Sequence, residues 1–213
     1  FSDREFVEGI EKAVKGKKPT VSKLEKTAKK TPPPAAYDLT ELQRDANKKY
    51  GYSAKQTLSL MQSLYEYHKV LTYPRTDSRY ITDDIVATIP ERLRAIAVGP
   101  YAQSAMKLSR SPIQTKYIVN NAKVTDHHAI IPTEQSPNLA KLSYEERNIY
   151  DLVVRRFMAV LSAPMEYDEM KVQLTVDKYN FYAKGKQITV KGWKEFYGVS
   201  SEDDEDVDVE NRS

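Results

Sequence analysis

The chain contains no cysteine. That excludes disulfides and thiolate metal sites, and it fits a reducing, cytoplasmic compartment. Long apolar runs are missing too: no stretch approaches the about eighteen residues that a membrane-spanning helix needs, so no membrane partner is expected. The first residues, Phe1-Ser2-Asp3-Arg4-Glu5, have neither the basic start nor the apolar stretch of a signal peptide. No initiator methionine opens the chain, which therefore reads as an internal fragment. Basic residues are nearly absent from the C-terminus: Val199–Ser213 holds seven acids against Arg212 alone.

That last scarcity reveals what the rest of the chain carries. The net charge of the 213 residues is only +3, but the C-terminal stretch is −6, so residues 1–198 carry +9. A body this basic suits a polyanion, because phosphate contacts release counterions. An ordinary solvated surface would give the same count. Apolar residues make up 40% of the sequence, enough for a packed core under a heavily charged surface.

Periodicity divides the chain. Phe6, Ile10 and Val14 stand four apart and predict a helix over 3–15, with Ser2 as its N-cap. Thr20 to Thr31 is an extended basic run, and Pro32-Pro33-Pro34 is a stiff spacer at a domain boundary. Thr40-x-x-Gln43, Ser53-x-x-Gln56 and Ser143-x-x-Glu146 each fit a capping box. The helix from about 53 to 68 would face the core with Thr57, Leu60, Met61, Leu64 and Tyr65. That from about 143 to 161 would use Ile149, Leu152, Val153, Phe157, Val160 and Leu161. A further helix over 83–96 would bend near Pro90. After Pro164 the period changes to two: Met170, Val172, Leu174 and Val176 alternate with polar residues, and Phe181–Lys191 reads as strand broken at Gly185.

The expected fold class is α+β, a helical domain inserted into a partial β-rich domain, because termini of a compact unit usually lie close together. Residues 1–35 and 165–199 would form the β-rich part, 36–164 the helical domain, and 200–213 an acidic disordered tail.

Two segments concentrate chemistry. In Leu71-Thr72-Tyr73-Pro74-Arg75-Thr76-Asp77-Ser78, Pro74 biases Tyr73 toward an extended conformation. An extended stretch projects Tyr73 and Arg75 to the same side. A phenol is a poor nucleophile near neutral pH. A neighbouring guanidinium stabilises the phenolate and can hold a phosphate bidentately. Tyr-x-Arg therefore suits attack on a phosphodiester, although among fifteen tyrosines the pattern alone is weak. The second segment is Thr125-Asp126-His127-His128-Ala129-Ile130-Ile131-Pro132-Thr133. Adjacent histidines on an extended chain point opposite ways and no third ligand is near, so a metal is disfavoured. A proton carrier or phosphate contact and a buried, hydrogen-bonded histidine are both open.

Together the two segments resemble the active-site motifs of type IA DNA topoisomerases, with wording nearest to bacterial topoisomerase III. Asp38-Leu39-Thr40-Glu41-Leu42-Gln43-Arg44-Asp45-Ala46-Asn47 and Gly51-Tyr52-Ser53-Ala54-Lys55 look like the stretch upstream of that family's tyrosine, and Gly192-Trp193 with Tyr197-Gly198 like its return strand. The resemblance implies that Tyr73 cleaves single-stranded DNA through a 5′-phosphotyrosine link, that another strand passes, and that the break is resealed without ATP. It implies Arg75 on the scissile phosphate, His127 assisting by charge or proton transfer, and Thr76 and Asp77 orienting the loop. Gln43, Arg44 and Lys55 become candidate DNA contacts. The β-rich part becomes an arch that, with the helical domain, makes part of a torus around DNA.

The family also binds magnesium, through a glutamate and an Asp-x-Asp in a separate domain that this sequence does not contain. Asp206-Val207-Asp208 has the letters but lies in the acidic tail. No metal site is therefore expected within this chain, and the fragment alone should be inactive in relaxation. Two other readings compete: a non-catalytic single-stranded DNA-binding module using basic and aromatic residues, and a tyrosine recombinase. The latter places Arg-His-Arg residues ahead of its tyrosine, whereas here the histidines follow it.

Overall fold

A computed structural model of the chain describes residues 4–197 and 208–211. It mixes helix and antiparallel sheet in two compact units. One comprises Phe1–Thr31, Met165–Lys191 and Val199–Ser213, the other Pro32–Pro164 and Gly192–Gly198.

The first unit holds helix α1 (Arg4–Val14) and an antiparallel sheet of β1 (Thr20–Thr31), β2 (Met165–Val176), β3 (Tyr179–Val190) and β4 (Asp208–Asn211), in that order. The basic run is β1, exposed along nearly its whole length. Its lysines are matched to acids across the ladder: Lys26 to Asp168 at 2.9 Å, Lys29 to Glu169 at 3.0 Å and Lys30 to Glu166 at 2.7 Å. Such solvated pairs stabilise by about 0–1 kcal/mol each, so they set register more than stability. They also offset part of the positive charge that residues 1–198 carry.

Three sequence expectations change in this unit. Strand β3 is not broken at Gly185, which pairs with Met170 in the ladder. Of the acidic stretch expected to be disordered, residues 200–207 and 212–213 lie outside the described residues, whereas Asp208–Asn211 pairs with Phe181–Lys184 of β3. Gly192–Tyr197 does not return as a strand. It forms a 3-10 turn over Gly192–Phe196 and groups with the helical unit, although 165–199 was assigned to the β-rich part. Gly192 is required there: its φ is +51°, and a Cβ would stand 2.2 Å from the Pro164 carbonyl oxygen.

The second unit is built on α7 (Tyr144–Val160), which follows a complete capping box. Ser143 Oγ accepts from the Glu146 N–H at 3.1 Å, and Glu146 Oε2 accepts from the Ser143 N–H at 2.8 Å. The expected stripe is buried, and so are Tyr150, Val154, Met158 and Ala159, so the helix is enclosed on more than one face. Each large apolar side chain so enclosed stabilises the unit by roughly 1.5–3 kcal/mol. Helices α2 (Leu39–Tyr50) and α3 (Ala54–Gln62) pack on α7 and on each other.

The cap of α2 differs from the expected Thr40 box. Asp38 is the N-cap and accepts from the Glu41 N–H at 2.7 Å, while Thr40 lies inside the helix and is exposed. At α3, Ser53 caps as expected, taking the Gln56 N–H at 3.1 Å. The helix expected over 83–96 is two: α4 (Asp83–Val86) and α5 (Ile89–Ala95), with Pro90 in the first turn of the second, where its missing N–H costs nothing. Helix α6 (Ala102–Ser109) packs on α5.

The helix expected to run to residue 68 also breaks regularity. After Gln62 the chain widens into one π-turn, Ser63–Tyr67. Thr57, Met61 and Leu64 stay buried, but Tyr65, placed on the same stripe by α-helical counting, is exposed. The extra residue per turn rotates it off the core. Among the described residues no helix is long and apolar enough to cross a membrane.

Candidate active site

Two non-helical segments of the helical unit are laced together, and the lacing positions every residue of the site. Segment 127–133 is threaded past 70–72, past Tyr80 and past Tyr37. Thr72 N–H donates to Ile131 O at 3.0 Å, Thr133 N–H to Val70 O at 3.1 Å, Ala129 N–H to Tyr80 O at 2.8 Å and Ile130 N–H to Tyr37 O at 2.8 Å. Ala129, Ile130 and Ile131 are buried at 0–1% exposure, which is why this run is apolar. Two threonines flanking Tyr73 complete the stitching. Thr72 Oγ1 accepts from the Ile131 N–H at 2.9 Å and reaches Ala129 O at 3.3 Å. Thr76 Oγ1 donates to His127 O at 3.0 Å and accepts from the Ser78 N–H at 3.1 Å.

From Tyr73 to Ser78 exposure alternates, although the chain bends at Pro74. Pro74, Thr76 and Ser78 are buried, while Arg75 and Asp77 are exposed and Tyr73 is half-buried. Tyr73 and His127 come together: their ring centroids are 4.1 Å apart with planes inclined at 32°. His128 turns the other way, its Nδ1 2.7 Å from Ala129 O. A carbonyl only accepts, so Nδ1 carries the proton. Burial holds the His128 imidazole below its usual range.

Arg75, Thr76, Asp77, Thr125, Asp126 and His127 line one open cleft of about 470 Å³, closed by Asp38, Leu39 and Thr40 at the start of α2. Of these lining residues Arg75 alone is a permanent cation. Asp38 is already committed, to the α2 cap and to Arg79 Nε at 2.8 Å. Tyr73 itself lines a second cleft, of about 650 Å³, together with Tyr65, Glu66, Lys69, Thr72, Arg92 and Glu134 among others.

The residues expected to touch DNA are not brought to either cleft. Gln43 is engaged, its amide donating to Ala54 O at 3.0 Å and so tying α2 to the start of α3. Arg44 meets Glu41 at 2.6 Å with most of its side chain in solvent, and Lys55 is exposed.

Sequence reasoning missed three participants. Tyr65 meets the Tyr73 ring edge-on at 5.5 Å and 84°. Arg92, buried at 6% exposure, donates to Pro132 O at 2.7 Å and Thr88 Oγ1 at 2.8 Å and pairs with Glu134 at 2.8 Å. Thr72 had been read only as part of the motif. A buried arginine at helical spacing from Thr88 was the available signal for the second; the first had none, because the π-turn hides it.

Among the described residues no group of three or more His, Cys, Asp or Glu side chains converges to hold a metal ion.

A tyrosine ring set against an imidazole on a helical scaffold is the geometry in hand, and the comparison with known proteins gives the class. The chain belongs to the DNA topoisomerase family, in its type IA branch, with residues 1–212 matching the family described as DNA topoisomerase. Its relatives include DNA topoisomerase 3 of Bacillus cereus (strain ATCC 10987 / NRS 248), 53% identical over 207 residues, which are 97% of this chain and 28% of that protein. DNA topoisomerase 3 of Bacillus subtilis (strain 168) is 52% identical over 198 residues, 92% of this chain and 27% of that protein. The chain thus spans under a third of the length of the curated relatives it matches. Full-length topoisomerase I from Thermotoga maritima is similar in structure, with a TM-score of 0.69 over all of this chain and 36% of that one, at 21% identity; that likeness bears on the fold.

Proposed function

We propose that this chain is the tyrosine-bearing part of an ATP-independent type IA topoisomerase that acts on single-stranded DNA. Tyr73 Oη attacks a backbone phosphorus, the bond to the 3′-oxygen breaks, the phenolic proton leaves, and the departing oxygen takes up a proton. The products are a 5′-phosphotyrosine ester and a free 3′-hydroxyl. Another strand passes through the gap. Resealing is the same step reversed, so the ester conserves the energy of the broken bond.

The observation that carries this reading is the contact of the Tyr73 ring with His127, which in turn lines one cleft with Arg75. Arg75 would hold the scissile phosphate and stabilise the charge that develops on it. His127 would move the proton or supply charge beside the phenol. Thr76 would fix the His127 backbone through its hydrogen bond, and Asp77 would orient the loop. Arg44 and Lys55, exposed on α2 and α3, are proposed as strand contacts; Gln43, held by Ala54 O, would act through that geometry.

The β-rich unit is proposed as part of an arch into which the helical unit is inserted. The magnesium of the family is assigned to residues outside these 213, so the chain alone should not relax supercoiled DNA. The decisive experiment incubates the complete polypeptide with an end-labelled single strand and then denatures it. Protein-linked label is expected, and Tyr73→Phe should abolish it while retaining most of the DNA affinity. Binding without any covalent product in the parent protein would favour a non-catalytic module instead; a covalent product from Tyr73→Phe would sink the assignment of the nucleophile.

A further inference from the structure

Tyr65 is exposed, yet it is the product of an unusual piece of backbone. An α-helix continued past Gln62 would carry Tyr65 with Met61 and Leu64 toward the core, as the sequence periodicity predicts. The π-turn at Ser63–Tyr67 swings it out instead. That turn is held from both ends. Ser63 Oγ donates to Glu146 Oε1 at 2.6 Å, and His68 Nε2 meets Glu146 Oε2 at 3.2 Å, so the capping-box carboxylate in the first turn of α7 clamps the start and finish of the turn. Lys69 then takes φ +58°, a conformation that costs a non-glycine residue energy, and its carbonyl accepts from Thr133 Oγ1 at 2.7 Å. Val70 N–H returns to Leu64 O at 2.9 Å. A widened turn and a left-handed lysine are two irregularities within seven residues. Irregular backbone of this kind persists where its surroundings over-determine it, and it clusters at working sites.

The result is a Tyr73 ring held on two sides. His127 lies against it at 4.1 Å with a shallow tilt, and Tyr65 meets it at 5.5 Å and nearly perpendicular. Edge-to-face contact is the favoured aromatic geometry away from the offset stack, so the two neighbours restrain different motions of the same ring. The threonine stitching ties the backbone around Tyr73 to segment 127–133, and Tyr65 and Tyr73 line the second cleft together.

We propose that Tyr65 is a positioning residue for the nucleophile: together with the π-turn that presents it, it holds the Tyr73 phenol in the orientation from which it attacks. This rests on Tyr73 being the nucleophile. Tyr65 touches no reacting atom; its effect is on the fraction of time the phenol is aligned, and a displacement of about 1 Å at a reacting group can cost on the order of 10²-fold in rate.

The test uses the complete polypeptide and a single-stranded oligonucleotide, measuring separately the equilibrium affinity and the single-turnover rate of covalent adduct formation at saturating protein. Tyr65→Ala should slow adduct formation by about ten-fold or more, within that range, with affinity within about two-fold of the parent. Tyr65→Phe keeps the ring and loses only the hydroxyl, so it should return the rate to near the parental value. The near-identical thermal unfolding of the Ala and Phe variants, both changed at an exposed residue, would show that the fold is not the variable. If Tyr65→Ala forms adduct at the parental rate, or loses affinity and not rate, the positioning role is wrong; the latter result makes Tyr65 a base-stacking contact instead. Absence of adduct from the parent itself would overturn the nucleophile assignment on which this rests, a different failure read in a different lane.

Discussion

Replacing Thr76 by valine keeps the shape of the side chain and deletes one oxygen that does two things. Thr76 Oγ1 donates to His127 O at 3.0 Å and accepts the Ser78 N–H at 3.1 Å. The two losses are unequal. His127 is exposed, so water can replace the hydroxyl at its carbonyl. Thr76 and Ser78 are 7% and 5% exposed, so the Ser78 N–H is left buried without a partner. An orphaned buried donor costs roughly 1–3 kcal/mol. For a chain of this length each kcal/mol moves the midpoint by about 2–4 °C, giving an expected fall of about 2–12 °C in thermal unfolding followed by circular dichroism. Thr76→Ser is the control: it retains the oxygen and removes one methyl, about 0.8 kcal/mol of burial. Valine should therefore be the more destabilising, although it is the better match in volume. In the complete polypeptide the same variant should slow covalent adduct formation, because the backbone that carries His127 loses its tie to the Tyr73 segment. A serine variant less stable than the valine one would refute the reasoning, showing that the methyl and not the hydroxyl matters at this position.

Three further outcomes follow from the same structure. Burial holds His128 below its usual value near 6.5, so the folded state prefers the neutral ring. Its contribution to stability is complete above about pH 6.5 and is lost as pH falls from there to the depressed folded value. Urea unfolding between pH 5 and 8 should show less acid loss in His128→Gln than in the parent, and equal slopes would contradict this. Glu146→Ala removes the reciprocal half of the α7 capping box and the clamp on Ser63 and His68, so a loss of about 1 kcal/mol or more is expected, with a drop in adduct formation if the π-turn relaxes with it. For Lys55, exposed in the first turn of α3, alanine should weaken single-strand binding similarly across sequences and reduce the slope of log affinity against log salt by about 0.7; an unchanged slope removes Lys55 from the interface.

How far the sequence foretold the site depends on the range of the interaction that builds each part. Ser143 and Glu146 announce the start of α7 because a capping box is a contact between neighbours in sequence. Asp38 displaced Thr40 as the cap of α2 for the same local reason, with Glu41 three residues on. The chain bends at Pro74, yet the exposed side chains of Arg75 and Asp77, beside buried Pro74, Thr76 and Ser78, keep the period of two that the motif suggested. What no local pattern could give is the pairing of that stretch with 127–133. It rests on hydrogen bonds between residues 51 to 59 positions apart, such as Thr76 to His127 and Ile131 to Thr72. There the family resemblance supplied what periodicity could not.

The local reading that failed at Tyr65 is the more instructive. Counting by 3.6 put Tyr65 in the core beside Leu64, and the residues around it gave no glycine or proline to signal otherwise. The π-turn is stable because Glu146, eighty-three residues away from Ser63, satisfies both of its ends. A defect in a helix is costly unless something distant compensates it, and here the compensating carboxylate belongs to a cap that already had to exist. An isolated peptide spanning residues 53–69 lacks that carboxylate. It should therefore carry no preference for the widened turn, and Tyr65 acquires its place beside Tyr73 only once α7 has formed.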